Sequence, residues 1–164
     1  MVLKRLEARA RSQAEVERDL AGRGVDASTS AAVVARLTAV GLIDDAEFSR
    51  QWIDQRRQGK GLGAGRLRQE LAARGVSAAV IEAALAETVA PGGETDLALA
   101  WARRRARTLV GVDSIAFQRR LGAQLTRRGF ESSVVRRVVG QLLRDREESD
   151  AAVDAAQAAP TIPA

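Results

Sequence analysis

The densest chemical feature of this sequence is positive charge. Four arginines fall within five consecutive positions, Arg103, Arg104, Arg105 and Arg107. Spaced at about 100° per residue, they cover more than half of a helix circumference, so they cannot all face away from a working surface. A second basic group, Arg56, Arg57 and Lys60, leads into the stretch GKGLGAG (Gly59 to Gly65), and Arg127 with Arg128 forms a third. Guanidinium and ammonium groups in such clusters bind phosphate oxygens and carboxylates. These nine residues are the candidate contacts to a protein partner or to DNA. Trp52 and Trp101 would stack on bases if their rings lay open in a basic groove. Their position four residues after Phe48 and Leu97 favours packing instead.

Covalent chemistry has little to work with. The chain has no cysteine and no histidine, which removes the thiolate nucleophile, the usual general base and the commonest transition-metal ligand. Asp44 and Asp45 resemble a paired-carboxylate or magnesium site. No third ligand lies near them, however, and Asp44 with Glu47 three residues on makes a capping box at a helix start. Ser12 and Glu15 form another. The GKGLGAG stretch carries Lys60 but lacks the Gly-Lys-Ser/Thr ending of a phosphate-binding loop and follows no strand. It reads as a flexible basic connection between helices. No catalytic residue, metal site or cofactor is expected, and the chain is read as a binding protein, not an enzyme.

Charge is unevenly placed. Residues 1–98 hold 14 basic and 14 acidic side chains, residues 99–146 hold 12 basic against 3 acidic, and residues 147–164 hold 4 acidic and none basic. The basic excess near one end would draw polyanions or acidic protein surfaces; a solvated surface of an arginine-rich helical protein is the plainer alternative. No run of about 18 apolar residues and no signal-peptide core is present, so no membrane association and a cytoplasmic location are expected.

The elements that position these charges are helices. With 3% aromatic residues and an abundance of Ala, Leu, Arg and Glu, the composition favours an all-α fold. A phrase, Leu-x-x-Arg-Gly-apolar, occurs three times: Leu20, Arg23, Gly24 and Val25; Leu71, Arg74, Gly75 and Val76; Leu125, Arg128, Gly129 and Phe130. The glycines are 51 and 54 residues apart, the mark of an internal repeat. Each glycine supplies the left-handed turn that ends a helix, and the apolar residue closes over the last turn. The arginine favours the negative end of the helix dipole; a ligand contact is its alternative role. Ser28, Ser77 and Glu131 or Ser132 are the expected caps of the helices that follow. Phe48 and Trp52 return as Leu97 and Trp101 49 residues later, with Arg56 returning as Arg105.

Helices are therefore expected near 2–10, 13–23 and 29–40, near 45–58, 64–74 and 78–89, and near 95–109, 115–128 and 132–147. They group as three-helix repeats over 1–43, 44–91 and 92–147, the last one basic, followed by a disordered tail over 148–164. Stacked in series they would form an elongated, curved, solenoid-like rod.

The phrases RSQAEVERDLAGRGV, LTAVGLIDDAEFSRQWIDQR, GAGRLRQELAARGVSAAVIEAAL and QLTRRGFESSVVRRVV resemble the RecX regulators of the bacterial recombinase RecA. The most specific is Gly-Leu-Ile-Asp-Asp-x-x-Phe-x-x-x-Trp-x-x-x-Arg, from Gly41 to Arg56. The resemblance spans about residues 2–145, with a shortened first helix and a looser third unit. It implies a non-enzymatic, monomeric modulator that lies along RecA filaments on single-stranded DNA and suppresses strand exchange, ATP hydrolysis and SOS coprotease activity, with direct DNA phosphate contacts an open possibility. A free-standing nucleic-acid-binding protein of helix-turn-helix type is the competing reading. Against it, no unit carries an evident recognition helix.

Overall fold

The computed structural model describes residues 11–158, which form eight helices and no strand: α1 (Gln13–Ala21), α2 (Ala27–Ala39), α3 (Asp45–Lys60), α4 (Ala64–Ala73), α5 (Ala78–Thr88), α6 (Gly93–Ala106), α7 (Ser114–Arg127) and α8 (Ser132–Ala158). The helix expected near 2–10 lies outside the described residues. The all-α tandem architecture expected from the repeats is the observed one.

Each apolar stripe ends in its own core. Val16, Leu20, Val34 and Ile43 pack between α1 and α2. Phe48, Trp52, Ile53, Leu67, Leu71, Ile81 and Leu85 form a second cluster, and Ala98, Phe117, Leu121, Leu125, Val138 and Leu142 belong to a third. Three small cores in sequence order, in place of one large one, give a rod of units that bury most of their apolar surface against themselves.

The repeated glycines end helices as expected, with Gly24, Gly75 and Gly129 at φ 80°, 87° and 86°. Val25, Val76 and Phe130 return their N–H groups to the carbonyls of Leu20, Leu71 and Leu125. One cap differs from expectation, and two capping boxes are incomplete. Asp26, not Ser28, caps α2, its carboxylate accepting the Thr29 N–H while the Ser28 hydroxyl donates to it; a carboxylate two residues earlier outcompetes the hydroxyl. Ser12 and Asp44 cap α1 and α3, but their boxes are one-sided. Glu15 reaches instead to Arg74, and Glu47 pairs with Arg50 and Gln51. Asp45 is no catalytic partner of Asp44: it accepts the Gln13 N–H at 2.8 Å, joining α3 to the start of α1.

Two further expectations fail. The helix does not stop near residue 147; α8 continues through Ala158. An alanine-rich segment extending an existing helix avoids the nucleation cost, so it needs no core of its own to remain helical. The GKGLGAG stretch is not a free connection either. Gly61, in the left-handed conformation, ends α3 and Gly63 begins α4. The Gly63 and Gly65 N–H groups donate to the Arg128 and Gly129 carbonyls at 2.9 Å. A Cβ on Gly63 would stand 2.7 Å from the Gly129 carbonyl oxygen, so the backbone contact itself requires glycine here.

These bonds show what the Arg-Gly phrase does beyond capping. The corners at Gly75 and Gly129 each seat on a helix start in the unit before, that of α1 and that of α4. At the first joint the Arg74 carbonyl accepts from Ser12 Oγ (2.7 Å) and from Arg18 (3.1 Å), while its guanidinium pairs with Glu15. At the second, the Arg128 guanidinium reaches the Lys60 and Gly61 carbonyls, and Gly129 lies against Arg66 at the start of α4.

Candidate polyanion-binding groove

The two joints contain the same slot, built on a tryptophan, an arginine one turn later, a polar residue on the following helix and the corner arginine. In the second unit these are Trp52, Arg56, Glu70 and Arg74. Trp52 is buried, and both guanidinium groups lie over its ring, with Arg56 Cζ 4.1 Å and Arg74 Cζ 3.8 Å from the ring centroid. Its indole N–H donates to Glu70 Oε2 at 3.1 Å. Glu70 also draws Arg56 Nε to 3.1 Å and Arg66 Nε to 3.6 Å. The Arg56 N–H is not aligned for a hydrogen bond and is buried without one, so that pairing rests on charge alone. This slot is closed, with Arg56 held beside Glu70 and Arg74 paired with Glu15.

In the third unit the matching residues are Trp101, Arg105, Gln124 and Arg128. Arg128 lies over Trp101 with Cζ 4.2 Å from the centroid, and Arg105 Nε donates to Gln124 Oε1 at 2.7 Å. Glutamate has become glutamine, so the arginines lose their counter-charge. Two neighbouring columns change in the same sense: Gln55 becomes Arg104 and Ala73 becomes Arg127. The slot opens into a groove of about 760 Å³ between the end of α3, the last turn of α6 and the last turn of α7. Lys60, Arg104, Arg105, Arg127 and Arg128 line it together with Gln58, Gln124 and Trp101, and no carboxylate does. Burial, and then the charge of Arg104, hold the Arg128 pKa below its ordinary value.

The structure thus separates the nine candidate residues. It gathers Lys60, Arg104, Arg105, Arg127 and Arg128 around one cavity. Arg56 is tied to Glu70 and Trp52. Arg57 pairs with Glu94 and donates to the Gly93 carbonyl, with a side chain only 13% exposed. Both are engaged within the fold, Arg56 inside the second unit and Arg57 across to the start of α6. Arg103 and Arg107 are exposed beside the groove without lining it. Trp52 does not stand open as a stacking platform, being buried under two guanidinium groups, whereas Trp101 is half-buried and lines the groove with Arg128 over its ring. Gln124 was missed by reasoning on charge clusters, since it carries no charge. The signal was the column comparison of Glu70 with Gln124. Among the described residues no group of His, Cys, Asp and Glu is arranged to hold a metal, and no helix is long and apolar enough to cross a membrane.

Comparisons with known proteins agree on one family. Models of the first, second and third three-helix domains of RecX match residues 1–37, 44–85 and 93–139. A regulatory protein RecX of Mycobacterium avium is 40% identical over 149 residues, covering 90% of this chain and 86% of its own length. The one from Mycolicibacterium smegmatis is 39% identical over 150 residues, 88% and 79% of the two chains. The solved structure of RecX from Lactobacillus salivarius superposes with a TM-score of 0.79 at 17% identity, over 85% of this chain and 90% of that one, which shows the shared fold. With all three domain models matched in order along a helical rod of three cores, the chain belongs to the RecX family of regulatory proteins.

Proposed function

We propose that this chain is a non-enzymatic, monomeric, cytoplasmic regulator that binds RecA filaments on single-stranded DNA and restrains strand exchange, ATP hydrolysis and coprotease activity. Family membership supports a regulatory role. The observation that carries the contact is the groove at the second joint, where five cations meet without a carboxylate. Its preferred occupant is the phosphate backbone of filament-bound DNA or an acidic surface of the filament. Both exchange diffuse counterions for fixed guanidinium partners.

The test returns the third slot to the composition of the second. Gln124→Glu keeps the side-chain shape and supplies the carboxylate that Glu70 supplies one unit earlier. Arg104→Glu with Arg127→Glu reverses two of the three exposed cations, leaving Lys60 in place. Inhibition of RecA ATPase and binding to bare single strands, bare duplex and RecA-coated single strands are compared at one salt concentration. The expected order of affinity is coated strand above bare strand, with both substitutions weakening it. Across a salt titration on bare single strands, the slope should fall by about 0.7 for each phosphate no longer neutralised. Arg103→Glu with Arg107→Glu, outside the groove, should have the smaller effect. Unchanged inhibition by the Arg104/Arg127 variant refutes the site. A sequence-specific duplex footprint would replace the reading with that of a free-standing DNA-binding protein.

A further inference from the structure

A second groove lies on the other side of α7, about half a helical turn around from Gln124 and Arg127. It runs between α7 and α8 with a volume of about 700 Å³. Ile115 stands at its mouth, 80% exposed, and Val135, Val139 and Leu143 supply apolar wall and floor. From Ile115 to Thr126 the lining follows one face of α7 for about 17 Å, three helical turns. Arg119 on α7 and Arg136 on α8 edge it, and no carboxylate lines it. Asp113 attracts Arg119 but caps α7 through the Ala116 N–H and stays outside.

Two glycines in this groove mark it as more than a gap in packing. Gly122 and Gly140 sit inside α7 and α8, where glycine weakens a helix relative to alanine. Nothing in the chain itself requires them. Neither is in the left-handed conformation, a Cβ on Gly122 would meet Val135 Cγ1 at an ordinary 3.8 Å, and one on Gly140 would meet the flexible end of Arg144 at 3.6 Å. Both positions trade helix stability for depth in the same groove.

We infer that the groove between α7 and α8 seats an amphipathic helix of the protein partner, apolar on one face and acidic along its edges. A helix is the form that fits, because the groove walls are helices whose backbone groups are already bonded and offer no edge to an extended strand. Three turns of i, i+3, i+4, i+7 apolar residues match its length. Carboxylates on the two edges of such a helix match Arg119 on one wall and Arg136 on the other. The identification of the filament as the source of this helix rests on the proposed function; the chemistry of the groove does not.

The test uses the full chain and two labelled 18-residue helical peptides with the same leucine stripe, one edged with glutamate and one with lysine. Purified RecA filaments are measured in parallel. The glutamate-edged peptide should bind and the lysine-edged one should not. Arg119→Glu with Arg136→Glu should weaken peptide binding about tenfold, and Ile115→Glu, fully outside the core, should weaken it without change in melting temperature. Gly122→Ala with Gly140→Ala should raise the melting temperature by about 2–4 °C per substitution and still weaken binding of both peptide and filament. Greater stability with poorer binding is a result that a purely structural role for the glycines cannot give. The inference is overturned if the alanine pair binds as well as the parent, if the lysine-edged peptide binds equally, or if the groove proves to hold a second copy of the chain, seen as self-association abolished by the same substitutions. If the peptide pattern holds while the parent chain ignores RecA filaments, the groove stands and the proposed partner falls.

Discussion

Replacing Gly24, Gly75 and Gly129 one at a time by alanine separates helix capping from joint formation, because the three share a conformation and differ in what surrounds them. At φ 80° to 87° any L-residue is strained by about 1–2 kcal/mol. Gly24 has nothing within 4 Å of an added Cβ, so that strain is its whole cost. At Gly75 the new methyl would lie 2.3 Å from Ala14 Cβ, well inside the ~3.5 Å carbon contact distance. Relief requires the first unit to move away from the second, adding about 1–3 kcal/mol of overpacking. At Gly129 the methyl would lie 2.1 Å from the Arg66 backbone nitrogen and 2.8 Å from Arg66 Cα. No side chain there can rotate out of the way. The corner must lift off α4, breaking the bonds from Gly63 and Gly65 at about 1 kcal/mol each in addition to the strain and overpacking. The expected destabilisations are therefore about 1–2 kcal/mol for Gly24→Ala, about 2–5 for Gly75→Ala and about 4 or more for Gly129→Ala. Urea unfolding followed by circular dichroism reads the series, and the Gly129 variant should also lose cooperativity as the third unit melts apart from the second. Three destabilisations equal within about 0.5 kcal/mol would refute the argument and reduce the corners to caps.

Arg74→Ala should destabilise the chain by about 1–3 kcal/mol, since it removes a guanidinium both from the face of Trp52 and from Glu15. Arg74→Lys should recover less than half of this in thermal melts, because an ammonium cannot stack and pair at once; full recovery would count against the stacking. Stability should be flat from about pH 5 to 9 and decline only below about pH 4. Asp26, held down by the Ser28 hydroxyl and Thr29 N–H, Glu47 by Gln51 and Arg50, Glu82 by Arg68, and Asp113 by the Ala116 N–H all have lowered pKa values in the fold. The unfolded chain therefore binds more protons than the folded one in acid, and the stabilisation present above the unfolded values is lost as pH falls through the folded ones. Melting temperature measured from pH 2 to 8 checks this, and a drop between pH 5 and 7 would contradict it, as the chain has no histidine.

The parts of this molecule that could be read from residues alone are those set by local rules. Helix periodicity, the glycine stops and the repeat spacing depend on neighbours within a few positions, and they placed helices α1 to α7 to within about three residues. The caps went wrong where two good candidates stood close together, as with Asp26 and Ser28, or went unnoticed, as with Asp113. The end of α8 was misjudged because disorder was inferred from a lack of core, whereas Glu148 to Ala158 only extends a helix already formed. The candidate groove was half legible. Its cations were visible as clusters, but whether an arginine is available depends on carboxylates distant in sequence. Arg56 and Arg57 are engaged by Glu70 and Glu94, 14 and 37 residues further on, and only folding brings those pairs together. Lys60 and Arg128, 68 residues apart, likewise share a cavity for reasons of assembly that no local spacing contains.

The seating of each Arg-Gly corner on the preceding unit gives the rod a sense of direction. Every joint has a lower half, a helix start (Ser12 or Gly63), and an upper half, the corner (Arg74-Gly75 or Arg128-Gly129). The third unit brings a corner but meets none beyond it, so the start of α7 at Asp113 is the one lower half among the described residues with no corner upon it. Val110 and Ile115, 84% and 80% exposed, flank that start. The array is thus written in a one-way syntax: a unit fits only in the orientation of its predecessor. Duplication could lengthen such a chain without inventing a new interface. It would also leave successive joints free to differ, as they do here, the first with its arginines on Glu70 and Glu15 and the second lined by cations without a carboxylate.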